Sequence, residues 1–167
     1  MKEQSIIDQK DYSTGTYTLY LNLALSGWSS VPSTFNSDNA YKLLKRVESI
    51  YHKSPKTTKP FQPTALTYGS AMSACATSID GSRTNYGAIV SRQILDRMKE
   101  VYESGKNDLV KPNIVAYNIC LQAYSIRGMV AEAEELLREM EEHCNEEEEE
   151  DSICPDVISY TTCIACY

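Results

Sequence analysis

Four short segments of this chain, GTYTLYLNLAL, LTYGSAMSACA, VAYNICLQAYS and ISYTTCIACY, align on Tyr17, Tyr68, Tyr117 and Tyr160, at spacings of 51, 49 and 43 residues. Self-similarity at such a period confines a sequence to architectures of stacked units, because one small unit cannot bury both of its faces alone. The third, fourth and sixth residues after each tyrosine are mostly apolar or small: Tyr20, Leu21 and Leu23; Ala71, Met72 and Ala74; Cys120, Leu121 and Ala123; Cys163, Ile164 and Cys166. That pattern is a helical contact stripe.

A second segment repeats as well. NAYKLLKRVESI, VSRQILDRMKEV and EAEELLREMEEH superpose without gaps, aligning Ala40, Ser91 and Ala133, then Leu43, Ile94 and Leu136, then Leu44, Leu95 and Leu137, then Val47, Met98 and Met140. A small residue followed by apolar ones three, four and seven places on is one face of a helix. Each unit is therefore two helices. Proline recurs between units, at Pro63, Pro112 and Pro155, and marks a helix start, where its missing N–H costs nothing.

The expected fold is all-α: an α-solenoid of helix-turn-helix hairpins, with three units and a truncated fourth. Seven glycines and two phenylalanines among 167 residues, with long stretches of Ala, Leu, Glu, Lys and Met, agree with helices rather than a sandwich or barrel. The register gives an N-terminal cap or tail over 1–13 and repeats over 14–64, 65–113 and 114–156, the last with an acidic insertion at 145–153. A truncated repeat at 157–167 follows, which reads as a piece of a longer protein whose Ile158, Cys163 and Ile164 lack a covering helix.

Charge is distributed unevenly. Residues 131–151 hold twelve acids against Arg138, whereas residues 1–130 hold fifteen bases and ten acids, so the net charge of -7 does not exclude a polyanionic partner. The run Glu146 to Asp151 lacks the spacing and glycine of a calcium loop and reads as a self-repelling, disordered insertion. No apolar run approaches the roughly 20 residues needed to span a bilayer, and no membrane partner is expected. The start, MKEQSIIDQKDYS, has no signal-peptide apolar region, and its acids argue against a transit peptide.

The six cysteines read as reduced thiols, since nothing marks secretion. CIAC, Cys163 to Cys166, has CxxC spacing, but Cys120 stands in the register of Cys163, so packing is the favoured reading. His143, Cys144 and Cys154 make at most a partial zinc set, and no metal or other cofactor is expected. The tyrosine stripe reads as core. No GxSxG, HExxH, P-loop or paired-histidine arrangement is present, and no enzymatic activity is expected.

The third unit, PNIVAYNICLQAYSIRGMVAEAEELLREMEE, and the restart PDVISYTT closely resemble the pentatricopeptide repeat family. The resemblance rests on the apolar pair, Tyr-Asn, the small-residue helix, the turn at Gly128 and the Ala-Glu-Glu-Leu-Leu run. It implies a solenoid whose first helices line a groove for single-stranded RNA, read at about one base per repeat. In that family the residue after the tyrosine and the last residue of the repeat face the base edge, and the residue two before the tyrosine wedges against the base. Carried over, the third unit offers Asn118 and Asp156 with Val115, a pair that favours uridine by family analogy. The second offers Gly69 and Asn113 with Leu66, the first Thr18 and Thr64 with Gly15, and the fourth Thr161 with Ile158.

The late-helix lysine frequent in the family is replaced by Ser26, Thr77 and Ile126. Lys42, Lys45, Arg46, Arg92, Arg97 and Lys99 fall on second helices and read as a solvated outer face. The resemblance implies non-catalytic RNA processing, stability or translation in a mitochondrion or plastid. The alternative is a helical-repeat scaffold that binds a protein or peptide.

Overall fold

The computed structural model describes residues 16–31, 36–53, 62–79, 85–146 and 153–167. They form α1 (Thr16–Ser30), α2 (Asn36–Lys53), α3 (Ala65–Ala76), α4 (Tyr86–Glu103), α5 (Ile114–Ser125), α6 (Val130–Glu146) and α7 (Val157–Ile164), with a 3-10 turn at Asp108–Val110. Gly15, the side chain of Tyr17 and most of the acidic insertion, 147–152, lie outside the described residues.

The chain is an all-α solenoid. Helices α1, α3, α5 and α7 pack in sequence as one row, and α2, α4 and α6 back onto it. Backbones approach more closely within the first row than within the second, where α2 and α4 touch and α4 and α6 meet only through side chains. A row that is tight on one side and splayed on the other curves toward the tight side, so the first helices line the inner face.

The repeated small-then-apolar pattern is the core of this stack. Ala40, Ser91 and Ala133 are fully buried, as are Ile94, Leu136, Met98 and Met140, each large side chain contributing roughly 1.5–3 kcal/mol. Ser91 tolerates burial because its hydroxyl donates to the carbonyls of Met72 (3.2 Å) and Gly87 (2.9 Å), joining α4 to α3. Gly128 closes the third hairpin with φ +62. The amide of Met129 returns to the Tyr124 carbonyl at 3.0 Å, so a left-handed glycine satisfies the last turn of α5.

The end helices depart from the expected stripe. In α1, Tyr20 and Leu23 are exposed while Thr18, Asn22 and Leu25 are buried, and in α7 Ile164 is exposed while Cys163 is buried. Among the described residues α1 and α7 each have a first-helix neighbour on one side only. The side chains that would face a second neighbour therefore face solvent, whereas Cys163 is covered.

The cysteines correct the expectation of reduced thiols. Cys144, near the end of α6, is disulfide-bonded to Cys154, with Cα atoms 4.6 Å apart and a sequence separation of 10. The end of α6 and the lead-in to α7 meet across the insertion, which brings the two residues within bridging reach. Closing such a loop contributes on the order of 2–3 kcal/mol by chain entropy. Cys75, Cys120, Cys163 and Cys166 are buried thiols outside the disulfide, and burial pushes the Cys120 thiol up to about 12.

The outer face also differs from a merely solvated one. Lys42, Lys45 and Arg46 are exposed, with Lys45 lying 4.3 Å from the Tyr41 ring centroid. Arg92, Arg97 and Lys99 instead join helices. Arg92 Nη2 meets Glu139 Oε2 at 2.8 Å, Lys99 meets Glu139 Oε1, and Arg97 Nε meets Glu48 Oε2 at 3.3 Å. Burial opposes ionisation of Glu139, but Lys99 and Arg92 outweigh it and hold the carboxyl below its ordinary range.

Candidate nucleic-acid interface

Each unit's candidate terminal residue has a local structural reason to be where it is. Thr64, Asn113 and Asp156 are the N-caps of α3, α5 and α7, each in extended backbone, with side chains accepting from the amides of Thr67, Ala116 and Ser159. The preceding prolines thus sit one residue before the cap, where they favour the extended approach that a cap requires. The signatures TALT and DVIS are readable as capping boxes, with Thr67 and Ser159 returning bonds to the cap amides.

The third-unit pair is assembled. Asn118 Nδ2 donates to Asp156 Oδ1 at 3.3 Å, while Ser159 Oγ donates to Asn118 Oδ1 at 2.7 Å and lies 2.9 Å from Asp156 Oδ1. The Ser159 amide first, and then the Asn118 amide, against desolvation, hold the Asp156 carboxyl below its usual range. Ser159 is fully buried and was not singled out by the repeat register. After these bonds the half-exposed Asn118 amide retains one N–H and one carbonyl lone pair, enough for one donor and one acceptor on a base edge.

Val115 and Ile158, at equivalent places on α5 and α7, are exposed, as is Leu66 on α3. They occupy the same register position, two before the aligned tyrosine, on successive first helices. Between α3 and α5 lies a cleft of 390 Å³ whose lining includes Leu66, Gly69, Ser70, Ser73, Asn113 and Val115. No charged side chain lines it. A Cβ on Gly69 would meet only Ile119 Cδ1 at 3.6 Å, an ordinary contact, so nothing in the packing demands glycine there.

The first and fourth units are less complete. Thr18 is buried and its hydroxyl donates to the Gln62 carbonyl at 3.2 Å, while Thr64 is engaged with Thr67. These two therefore serve the α1 to α3 junction. Thr161 is exposed, with its hydroxyl turned to its own helix, on the carbonyls of Val157 (2.7 Å) and Ile158 (3.2 Å).

A PPR repeat family model matches residues 115–144, which span nearly all of α5 and α6. The third hairpin is a PPR repeat. No curated protein and no solved structure matches the chain. The PPR segment contains Val115 and Asn118, and it ends before Asp156, whose side chain reaches back to it.

Of the aligned tyrosines, Tyr68 and Tyr117 carry the packing role expected of the stripe, Tyr160 is exposed, and all three make polar contacts that the register did not predict. Tyr68 and Tyr117 are fully buried. Tyr68 OH donates to Glu48, and Tyr160 OH to Glu141 at 3.0 Å, each acceptor lying on the preceding second helix. At the matching register Tyr117 meets Lys99, whose ammonium stands 5.0 Å from the ring centroid, and its hydroxyl goes to Glu139 at 3.1 Å instead. Burial, and then the adjacent carboxylate, push the Tyr68 and Tyr117 hydroxyls far above the ordinary phenol range.

One cation is committed to a helix end. Arg127, one place beyond Ile126, donates to the carbonyls of Ala76 (2.8 Å) and Ser78 (3.0 Å) at the C-terminus of α3. Thr77 does the same for α1, donating to Ser29 at 3.1 Å. Among the described residues no helix is long and apolar enough to cross a membrane, and no cluster suited to a metal ion occurs.

Proposed function

We propose that the inner face binds single-stranded RNA without catalysis and that Asn118 reads one base. The observation that carries this is the Asn118, Asp156 and Ser159 constellation on an exposed row flanked by Val115 and Ile158. With Oδ1 and Nδ2 each held by one protein bond, the amide is fixed in rotation. It still presents a donor and an acceptor, the complement of a uracil edge with its N3–H and carbonyl oxygen. The apolar side chains on either side offer faces for the ring, worth about 1–3 kcal/mol per stacked base where the platform is aromatic and less for aliphatic contacts.

The PPR match supports the same reading, because repeats of this family are generally RNA-binding. On this reading the chain acts in organellar RNA processing, stability or translation. The test is fluorescence-anisotropy titration with single-stranded RNA pools and matched DNA at two salt concentrations. Saturable RNA preference that Asn118→Ala abolishes at a uridine position supports the proposal, and no RNA binding at low salt by folded protein overturns it.

One observation favours a second reading. The cleft at Gly69 is lined by hydroxyl, amide and apolar groups without charge, a surface that also suits a neutral peptide segment. Peptide-library capture by a protein that ignores RNA would select that reading.

A further inference from the structure

The cations of the second helices are neutralised unevenly. On α4, Arg92, Arg97 and Lys99 pair with carboxylates, and on α6 the exposed residues around Arg138 are glutamates. On α2, Lys42, Lys45, Arg46 and Lys53 are exposed, and among the described residues none of them makes an ion pair. The two acids of that helix are engaged elsewhere. Asp38 accepts from the Tyr86 hydroxyl at 2.6 Å, and Glu48 is buried between Tyr68 and Arg97. The adjoining segments do not reverse the sign, since residues 1–15 hold two bases and three acids, and residues 54–61 hold two bases and no acid. Lys42 and Arg46 stand one turn apart with Lys53 two turns further on, so like charges repel along one face of α2.

The repeat register gives the direction of that face. Gln93, Arg97 and Glu100 on α4 line a crevice of 560 Å³ against α2, so their equivalents Lys42, Arg46 and Ser49 turn away from α4. Tyr20 turns to the same side. Its equivalent on α5, Cys120, is fully buried and lies within electrostatic reach of Arg92, Asp96 and Lys99 on the preceding second helix. Among the described residues no second helix precedes α1, and Tyr20 is 64% exposed. Tyr20 stands ten residues before the end of α1 and Arg46 ten after the start of α2, which brings them to one level of the hairpin.

An exposed aromatic ring beside unpaired cations is the combination that holds a nucleic-acid strand without regard to sequence. The inner cleft between α3 and α5 has no charged side chain, and Arg127 is taken up by helix-end carbonyls. Yet phosphate neutralisation supplies most of the affinity in sequence-independent binding.

We propose that Tyr20, Lys42, Arg46 and Lys53 form a second contact for single-stranded nucleic acid, at the α1–α2 end and apart from the inner face. One base stacks on the Tyr20 ring, and the phosphates beside it meet Lys42 and Arg46, with Lys53 further along the strand. The contact supplies the charge that the inner cleft lacks and reads no sequence.

The test titrates the whole chain with a fluorescein-labelled oligoadenylate, which contains no uridine, and with its deoxy counterpart, across a series of salt concentrations. Both should bind saturably. Lys42→Gln/Arg46→Gln/Lys53→Gln should lower the slope of log affinity against log salt by about 2, at about 0.7 for each phosphate contact. Tyr20→Ala should weaken binding about tenfold with the slope unchanged, and Tyr20→Phe should bind like wild type. The triple variant should keep the wild-type ratio of affinities for uridine-containing over uridine-free RNA. Thermal unfolding checks that each variant is folded. Ultraviolet crosslinking of the unsubstituted chain, which needs no variant, should place the adduct on Tyr20.

No oligoadenylate binding at low salt, a slope indifferent to the triple substitution, or adducts confined to α3, α5 and α7 overturns the proposal. So does capture of a peptide with the sequence of Glu146 to Asp151 in place of the oligonucleotide, which would assign the cations to an acidic protein partner. Loss of uridine preference with the oligoadenylate slope intact would remove the proposed function and leave this inference standing.

Discussion

Asn118 and Asp156 are 38 residues apart in sequence and meet at 3.3 Å, Nδ2 to Oδ1, because α7 packs on α5 with its N-cap opposite the first turns of α5. The same carboxylate caps α7, so helix initiation and orientation of the amide proposed to read a base depend on one side chain. Asn118→Ala should lose about 1–2 kcal/mol of discrimination at a uridine position, with little change in thermal stability. Asp156→Ser, which keeps a capping oxygen but loses the charge, should preserve α7 and weaken selectivity about threefold. Competition titrations with single-base RNA variants read both effects.

The second unit can be given the same device. Gly69 has room for a side chain, and Asn113 already caps α5 with its oxygen 3.0 Å from the Ala116 amide. Gly69→Asn with Asn113→Asp should create a second Asn/Asp pair. Discrimination at the neighbouring nucleotide should rise about tenfold, and the helix should gain a few tenths of a kcal/mol from loss of the mid-helix glycine. Unchanged selectivity in the doubly substituted protein, with Asn118 selectivity intact, would show that the α3 face does not contact RNA.

Glu139 gathers Arg92, Lys99 and the Tyr117 hydroxyl. Its folded-state carboxyl titrates below the ordinary value of 4.5. The stabilisation is therefore fully present above that value and disappears as pH falls through the lowered one. Glu139→Gln should cost about 2 kcal/mol near neutral pH, since two cations lose their shared partner. The difference from wild type, measured by urea denaturation, should shrink as pH falls below about 4.5. A difference constant from pH 7 to pH 3 would remove the ion cluster as the cause.

How far the sequence exposed this structure depends on the range of the interaction. The second-helix faces were legible because Ala133, Leu136 and Met140 follow one another at helical spacing, a local signal. Asn118 and Asp156 were legible only through family resemblance. Ser159, which completes their network, is invisible to periodicity although the Asp-x-x-Ser cap is a local signature. The Cys144 to Cys154 bridge was not legible, because it depends on how the α6 to α7 connection returns in space. Nor were the ion pairs of Arg92 and Lys99, since charge on a predicted outer face does not show which neighbour's carboxylate comes within reach.

The tyrosine stripe offers the sharpest internal comparison, because Tyr68 and Tyr160 make the same bond in different surroundings. Tyr68 is fully buried and donates to Glu48, a buried carboxylate otherwise held by Arg97, whereas Tyr160 and Glu141 meet in solvent. A buried hydrogen bond to a charged acceptor contributes about 1.5–3 kcal/mol, while an exposed one competes with water. Tyr68→Phe should therefore destabilise the chain by about 2 kcal/mol, and Tyr160→Phe should leave the unfolding midpoint unchanged. Equal effects of the two substitutions in chemical denaturation would mean that the hydroxyls do not support the core, and that the repeated tyrosine is kept for its ring alone.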